Sequence, residues 1–435
     1  MSQHYSNIII GAGIAGLSLG AKLDSDSLLL EKNSTVGGLS RSYDFCGTQF
    51  DIGPHIIFSK NEEILEKHSS MIPTNKVKRS NQIYLHGRYV KYPFENDLSS
   101  LPDEINQRCL HEFLNNPYSD INYTNMQQFF LKNFGQAICD EYLLPYNKKI
   151  WKFDPACLDT QMVERIPKPP ASDIIKSSKG ENTEGYTHQL YFYYPSYGGF
   201  QTLINKYVEE FLSKNKKNSL EKNCNIQEIE KTGDIWTVTT TNGLQYTGDR
   251  LINTSPIHEF RNLIHIPETI SQKIDDLLYN SIHIVMVAVK KDIIGDHFAL
   301  YLPQQEIIFH RLSKLTFLGD HYVGANGETI LMAEVTFRRE SALGKLTTEE
   351  IISSTIDDLV SLGFIDKADV VDTRIITEKY AYVIYDLNHR SNTDQVLSYL
   401  EENEIYSCGR FATFEYLNTD GVVEQAWSLA KKLEY

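Results

Sequence analysis

Asn7-Ile8-Ile9-Ile10-Gly11-Ala12-Gly13-Ile14-Ala15-Gly16 opens the chain with an apolar run and a glycine turn, and a helix-compatible stretch, Leu17 to Leu23, follows. Leu28-Leu29-Leu30 is a second apolar run that ends in Glu31. Strand, glycine turn, helix, strand, acid is the sequence form of a dinucleotide-binding βαβ unit. Gly11 allows the tight turn out of the strand. Gly13 has no side chain, so a pyrophosphate can approach the backbone. Gly16 lets the helix pack close to the strand. The helix N-terminus offers free N–H groups and a partial positive charge to phosphate. Glu31 stands about 20 residues after Gly11, where an acid accepts from ribose hydroxyls. A bare G-x-G-x-x-G is weak; the flanking strand, the helix and the spaced acid carry the reading.

The length, 435 residues, suits two or three domains with sizeable cores. An apolar content of 41% and a charged content of 23% read as soluble and globular. A net charge of −15 argues against a nucleic-acid-binding surface. No apolar run is long enough to span a bilayer, and no basic region precedes a long apolar core, so a cytoplasmic protein is expected. The six cysteines are scattered without a C-x-x-C. Neither a disulfide framework nor a metal site is expected.

After Glu31, Gly37-Gly38 permits a second close backbone approach, or is only a turn. Arg41 offers a charge to a phosphate, or is a surface charge. Phe50-Asp51-Ile52-Gly53-Pro54-His55 follows. These elements together resemble the FAD-dependent superfamily of amine oxidases, protoporphyrinogen oxidases and UDP-galactopyranose mutases. The resemblance implies an α/β fold: a Rossmann-like, glutathione-reductase-like FAD-binding domain with an inserted α+β substrate domain. It implies that Gly11, Gly13, Ala15 and Gly16 hold the pyrophosphate and that Glu31 and Lys32 lie at the adenosine ribose. Gly38, Leu39, Ser40 and Arg41 would lie near the flavin, with Gly53, Pro54 and His55 beside its ring. His55 is the first candidate for chemistry, as a proton carrier near neutral pH; a satisfied core histidine is the equal alternative.

Asn61 to Met71 has helical character, Gln82 to Val90 reads as a hairpin, and 98–143 is rich in helix formers. Tyr146-Asn147-Lys148-Lys149-Ile150-Trp151, followed by Arg165-Ile166-Pro167, resembles an element of the mutase branch. That implies Tyr146 and Lys149 on the substrate and a catalytic Trp151; a core tryptophan and solvated lysines are the alternative. Residues 167–190 have a loop or lid composition. The glycines of Tyr194-Pro195-Ser196-Tyr197-Gly198-Gly199-Phe200 suggest close approach to the flavin, with a helix from Gln201 to Lys214 behind them. Strands are expected at 225–229, where the resemblance puts Ile226 on the adenine, and at 235–239, 281–289, 307–312, 329–336 and 370–378. By resemblance Arg311 meets the flavin or a substrate phosphate, and Tyr382 and Tyr385 bind a nucleotide-sugar diphosphate.

Ile405-Tyr406-Ser407-Cys408-Gly409-Arg410 and Tyr416-Leu417-Asn418-Thr419-Asp420-Gly421-Val422 resemble the closing FAD motif of the family. Gly409 and Arg410 would lie near the pyrophosphate. Asn418, Asp420, Gly421 and Val422, the last as N–H donor, would lie by the flavin edge. The expected division is a discontinuous FAD domain (1–60, 195–256, 371–435) and a substrate domain (61–194, 257–370) with a helical part near 98–165. The expected function is an FAD-dependent oxidoreductase acting on a small molecule. The alternative is a non-redox mutase-like enzyme using reduced flavin on a nucleotide sugar. Two departures mark the mutase comparison: Phe58 stands where that branch has a second histidine, and Lys168-Pro169-Pro170 where it has an arginine. A partner-holding protein on the same fold, like the Rab GDP-dissociation inhibitors, is disfavoured by the complete phosphate motif. A homodimer is an open option.

Overall fold

The computed structural model describes residues 3–166, 168–183 and 190–434. Pro167 of the Arg165-Ile166-Pro167 element, and 184–189 of the expected loop, lie outside the described residues.

The opening motif folds as read: β1 (Gln3–Ile10), α1 (Ile14–Gly20) and β2 (Ser27–Leu30). β1 lies between two parallel neighbours, β2 and the strand Gln245–Asn253. Ile8 and Ile10 enter one core and Ile9 the other. A parallel strand buried on both faces needs such a continuous apolar run, so Ile8-Ile9-Ile10 dictates its central place. The sheet runs, in order, Ile226–Thr232, Ile235–Thr240, Gln245–Asn253, β1, β2 and Ser219–Glu221. Ile405–Ser407 pairs parallel with the far end of Gln245–Asn253. The two chain ends therefore meet: Gly409 follows that last strand and packs on α1, where a Cβ on Gly409 would lie 2.7 Å from the Ala15 Cβ.

A second sheet runs Val370–Val383, Tyr279–Val289, Thr329–Phe337, Arg311–Lys314, Ala299–Tyr301, Asn81–Leu85 and Arg88–Lys91. Alternate residues of Tyr279–Val289 serve two cores: Ile284 and Met286 face the nucleotide half, and Val285 and Val287 face the helix Thr348–Ser361 side. A helical block, Asp103–Leu114 and Met126–Ile138, adjoins it. Asn125 caps the second of these helices, its side chain accepting from the Gln128 N–H (2.9 Å).

Three expectations need correction. The strand expected at 307–312 begins only at Arg311. The residues before it turn, with the Ile308 N–H donating to Asp358 (2.6 Å). The loop composition of 167–190 conceals a helix, Ala171–Ser178, because Ile174 and Ser177 are buried and the Ser177 hydroxyl donates to the Glu95 carbonyl. The strand expected to end at 378 runs to Val383 along the edge of the second sheet. The boundary expected at 371 thus falls inside that sheet.

Burial also sets the acid response. His55, His68, His258 and His283 are pushed down to about 4 by desolvation, and His310 further. A histidine depressed in the fold loses stability as pH falls below its unfolded value, because the unfolded chain takes up the proton. Asp51 and Glu95, raised by burial to about 6 and about 7, act in the opposite sense, since the fold holds their protons. Burial also lowers His297 and His389 and raises Asp358, Glu378 and Asp386, so depressed histidines outnumber raised acids and the melting temperature is expected to be lower at pH 5 than at pH 7. An equal or higher value at pH 5, by differential scanning fluorimetry, contradicts this.

Candidate active site

The glycines of the first turn have three separate roles. Gly11 has φ +101°, a conformation L side chains avoid. A Cβ on Gly16 would overlap the Gly11 carbonyl, so Gly16 is required by helix–strand packing. Gly13 has φ −72°, ordinary for any residue, and its nearest neighbour for an added Cβ is Gly38 at 3.8 Å. The protein alone gives no reason for glycine at 13. A ligand lying against that backbone does.

Glu31 is buried at the end of β2, and its carboxylate accepts from the Ala12 N–H (2.9 Å), the Asn33 N–H (2.9 Å) and the Asn33 amide (2.8 Å). These fix its orientation beside the glycine turn. The turn leading into the strand that begins at Ile226 is tied to the same place: the Cys224 N–H donates to the Glu31 carbonyl and the Asn223 N–H to the Asn33 carbonyl. Lys32 acts electrostatically on Glu259 and Glu378. Gly38, Leu39 and Ser40 form one tight turn facing Gly13. Arg41 closes it, donating to the Gly38 carbonyl (2.8 Å) and pairing with Glu378 (2.7 Å). Arg41 is thus an organiser of the turn, with a half-buried ion pair in place of a free charge for phosphate.

The closing motif supplies the other side. The Gly409 N–H donates to Gln425 (2.7 Å), anchoring the Gly-Arg turn to the helix Thr419–Glu434. The Val422 N–H is spent on the Asn418 carbonyl (3.0 Å). Val422 is therefore corrected as a donor: helix geometry leaves free the N–H groups of Thr419, Asp420 and Gly421, one turn earlier. Gly198 and Gly199 are corrected too. A Cβ on Gly199 would meet Ser42 and Asp51, and one on Gly198 would meet Thr202. They are glycines for packing against the hairpin Ser42–Asp51, where Asp51 accepts from Tyr194 (2.6 Å), Ser42 (2.5 Å) and the Phe200 N–H (3.0 Å).

Beside the second sheet, a cluster of buried polar side chains is ringed by aromatic residues, and this cluster is the candidate substrate chamber. Arg311 and Glu334 sit opposite one another on paired strands and form a bidentate ion pair (Nη2–Oε2 2.6 Å), with Glu334 fully buried. Gly53 passes over this pair; an added Cβ would lie 3.4 Å from Glu334 Oε2 and 3.8 Å from Arg311 Nη2. His55 follows, its ring against Phe200 and its Nδ1 buried without a partner among the described residues. Burial, and then the charges of Arg410 and Arg311, keep His55 neutral at pH 7. Arg410 lies over the Tyr416 ring (4.2 Å) and near Tyr382 (5.4 Å). Its Nε and Nη2 are buried and have no partner among the described residues. Tyr382 and Tyr416 stack at 5.9 Å, and Trp151 meets both edge-on, at 5.7 and 5.8 Å.

Trp151 and Tyr146 reach this chamber on one helix, Leu144–Trp151, which follows a π-helical turn at Cys139–Leu143. Such a turn re-aims the side chains beyond it. The Trp151 indole is held by Asn147 (2.9 Å) and its carbonyl by Asn280 (2.6 Å). Tyr146 stacks on Tyr142 and meets Tyr301 edge-on.

Lys149, on the same helix, turns away. Its ammonium is buried and donates to the carbonyls of Leu302 (2.9 Å) and Gln304 (2.5 Å). The expectation of a substrate lysine is corrected: Lys149 clamps a loop. Tyr385 is corrected likewise. Its hydroxyl accepts from the Tyr416 N–H (2.7 Å) and donates to Glu415 (3.3 Å), so it holds Tyr416 under Arg410. Tyr385→Phe is expected to raise KM several-fold with kcat nearly unchanged, through a looser Arg410; an unchanged KM in steady-state kinetics contradicts this positioning role.

Glu334, Tyr301, His310 and Tyr416 were not singled out from the sequence. Glu334 had a signal: it is the one acid in the apolar run Thr329 to Phe337. Tyr416 stands inside the closing motif. Tyr301 and His310 had none.

The chain belongs to the flavin containing amine oxidoreductase family, whose model matches residues 14–433. It is an FAD-dependent enzyme. Solved structures with the same fold include a reduced UDP-galactopyranose mutase (TM-score 0.89, 24% identity, 99% of this chain and 95% of that one). A wild-type putrescine oxidase bound to putrescine matches with TM-score 0.66 at 15% identity, over 100% of both chains. A fatty acid isomerase from P. acnes matches with TM-score 0.66 at 16% identity, over 99% of each. Among the described residues no helix is long and apolar enough to cross a membrane, and no group of side chains could hold a metal.

Proposed function

We propose that the chain rearranges a nucleotide sugar, as the UDP-galactopyranose mutase branch of the family does, with FAD in its reduced form. The observation that carries this is Arg410: two buried guanidinium nitrogens without a partner among the described residues, in a chamber that already holds Arg311. Unpaired buried donors of a cation fit an anionic group that brings its own acceptors. A substrate amine, cationic at pH 7, meets repulsion there. The Tyr382–Tyr416 stack and Trp151 supply flat apolar faces suited to a sugar or a base.

The residues present fit FAD. Gly13 and Gly38 form a cradle that a side chain would fill, Glu31 is held beside the glycine turn where it would accept from ribose hydroxyls, and the N–H groups at 419–421 and the Nδ1 of His55 would be available at the far end. Reduced FAD supplies the electron-rich centre that such a rearrangement needs. The chain's own work is then positional. Arg410 and Arg311 hold the diphosphate, and Glu334 keeps Arg311 in place. His55, neutral, holds or passes one proton on the cofactor side. The aromatic walls exclude water.

A redox reaction on an anionic small molecule is the second reading, favoured by Phe58 standing where the mutase branch has a second histidine. Titration separates substrate classes. UDP-galactopyranose is expected to perturb the flavin spectrum of the reduced protein saturably, and putrescine is expected to leave it unchanged. The reverse result overturns the proposal.

A further inference from the structure

His310 is the chamber residue for which the proposed mechanism has no use. It stands at the start of the strand carrying Arg311, with its N–H donating to the Glu334 carbonyl and its carbonyl accepting from the Leu302 N–H. Its side chain is 1% exposed. Its ring lies 6.4 Å from that of Tyr146 and 6.5 Å from that of Tyr382, so it adjoins the aromatic cluster. Both ring nitrogens are buried and have no partner among the described residues. Most buried polar side-chain atoms are hydrogen-bonded, and two orphans on one imidazole cost stability in the free protein. A leucine there would avoid that cost.

The surrounding charges define what could satisfy it. Arg311, Lys149 and Lys152 all act on the imidazole and disfavour its cationic form. Neutral, it offers one N–H and one lone pair. Phosphate or carboxylate can use only the N–H, and Arg410 and Arg311 compete for it. An ammonium can use only the lone pair and is repelled. A hydroxyl is both donor and acceptor, carries no charge, and is the smallest group that can use both ring nitrogens' chemistry.

We propose that His310 is a specificity-determining residue that takes a hydroxyl of the bound substrate beside Tyr146 and Tyr382. This rests on the nucleotide-sugar reading above. It adds that the site recognises a neutral hydroxyl at one wall as well as a diphosphate at the other.

The test compares wild type, His310→Leu and His310→Gln as FAD-loaded, reduced proteins titrated with UDP-galactopyranose, with each variant's melting temperature measured free of ligand. His310→Leu is expected to melt no lower than wild type, since it removes unpaired polar atoms, and yet to bind about 10- to 100-fold more weakly. His310→Gln, which keeps a donor and an acceptor, is expected to recover part of that loss. Wild-type affinity in a folded His310→Leu overturns the inference while leaving the nucleotide-sugar reading intact. So does a loss of affinity in His310→Leu that tracks a lowered melting temperature, with no recovery in His310→Gln. Failure of the wild type itself to bind UDP-galactopyranose removes the nucleotide-sugar reading, and this inference with it.

Discussion

Gly13→Glu is expected to give a folded protein without FAD. The structure separates this change from others in the same motif. A Cβ at 16 strikes the Gly11 carbonyl, so Gly16→Ala is expected to damage the fold itself. A Cβ at 13 makes only an ordinary contact, with the Gly38 Cα at 3.8 Å, and the backbone there is ordinary. Nothing in the free protein resists the glutamate. What resists it is the ligand: a carboxylate about 4 Å from a pyrophosphate charge costs about 4 kcal/mol at an effective dielectric near 20, roughly a thousandfold in affinity. The purified variant should be colourless, with a far-ultraviolet circular dichroism spectrum like that of wild type. A yellow variant with wild-type flavin occupancy would remove the cofactor assignment at this turn.

Arg410→Ala is expected to do the opposite: keep FAD and lose the substrate. The side chain of Arg410 lies over Tyr416 and near Tyr382, and it acts on His55 together with Arg311. Charge-assisted hydrogen bonds contribute about 1.5–3 kcal/mol each, so losing two of them to a diphosphate weakens binding by roughly a hundredfold or more. Arg410→Lys should recover only part, because an ammonium neither stacks on Tyr416 as a plane nor bonds in bidentate fashion. Flavin content by absorbance and Kd by titration give the two readouts. Loss of FAD with unchanged substrate affinity would return Arg410 to the pyrophosphate side expected from the motif.

The parts legible in the sequence are those in which a local backbone demand fixes the residue type. Gly11, Gly16 and Glu31 are constrained within one βαβ unit, and Ile8-Ile9-Ile10 declares a strand buried on both faces. The capping box of Thr347 and Glu350 likewise marks the start of the helix Thr348–Ser361. The helix His389–Glu402 was missed because its sequence is mostly polar; His389, Asn392 and Thr393 are buried only through tertiary packing. The polar residues of the chamber show the same limit. Tyr385, Lys149 and Arg41 have the side chains that substrate or phosphate would need, yet each is committed to a partner distant in sequence: Tyr416, Leu302 and Glu378. Residue type shows what a side chain can bind. Its partner in the fold decides whether it is free to bind it, as Arg410 is at two of its nitrogens.

The central claim is tested most directly by turnover. The protein is reduced anaerobically with dithionite and supplied with UDP-galactopyranose, and both the sugar ring and the flavin spectrum are followed. The account predicts a ring-contracted nucleotide sugar with no net change in the oxidation state of the flavin. Unchanged sugar with the reduced protein, or oxidised protein whose flavin is bleached by a substrate and recovers in air, would contradict it.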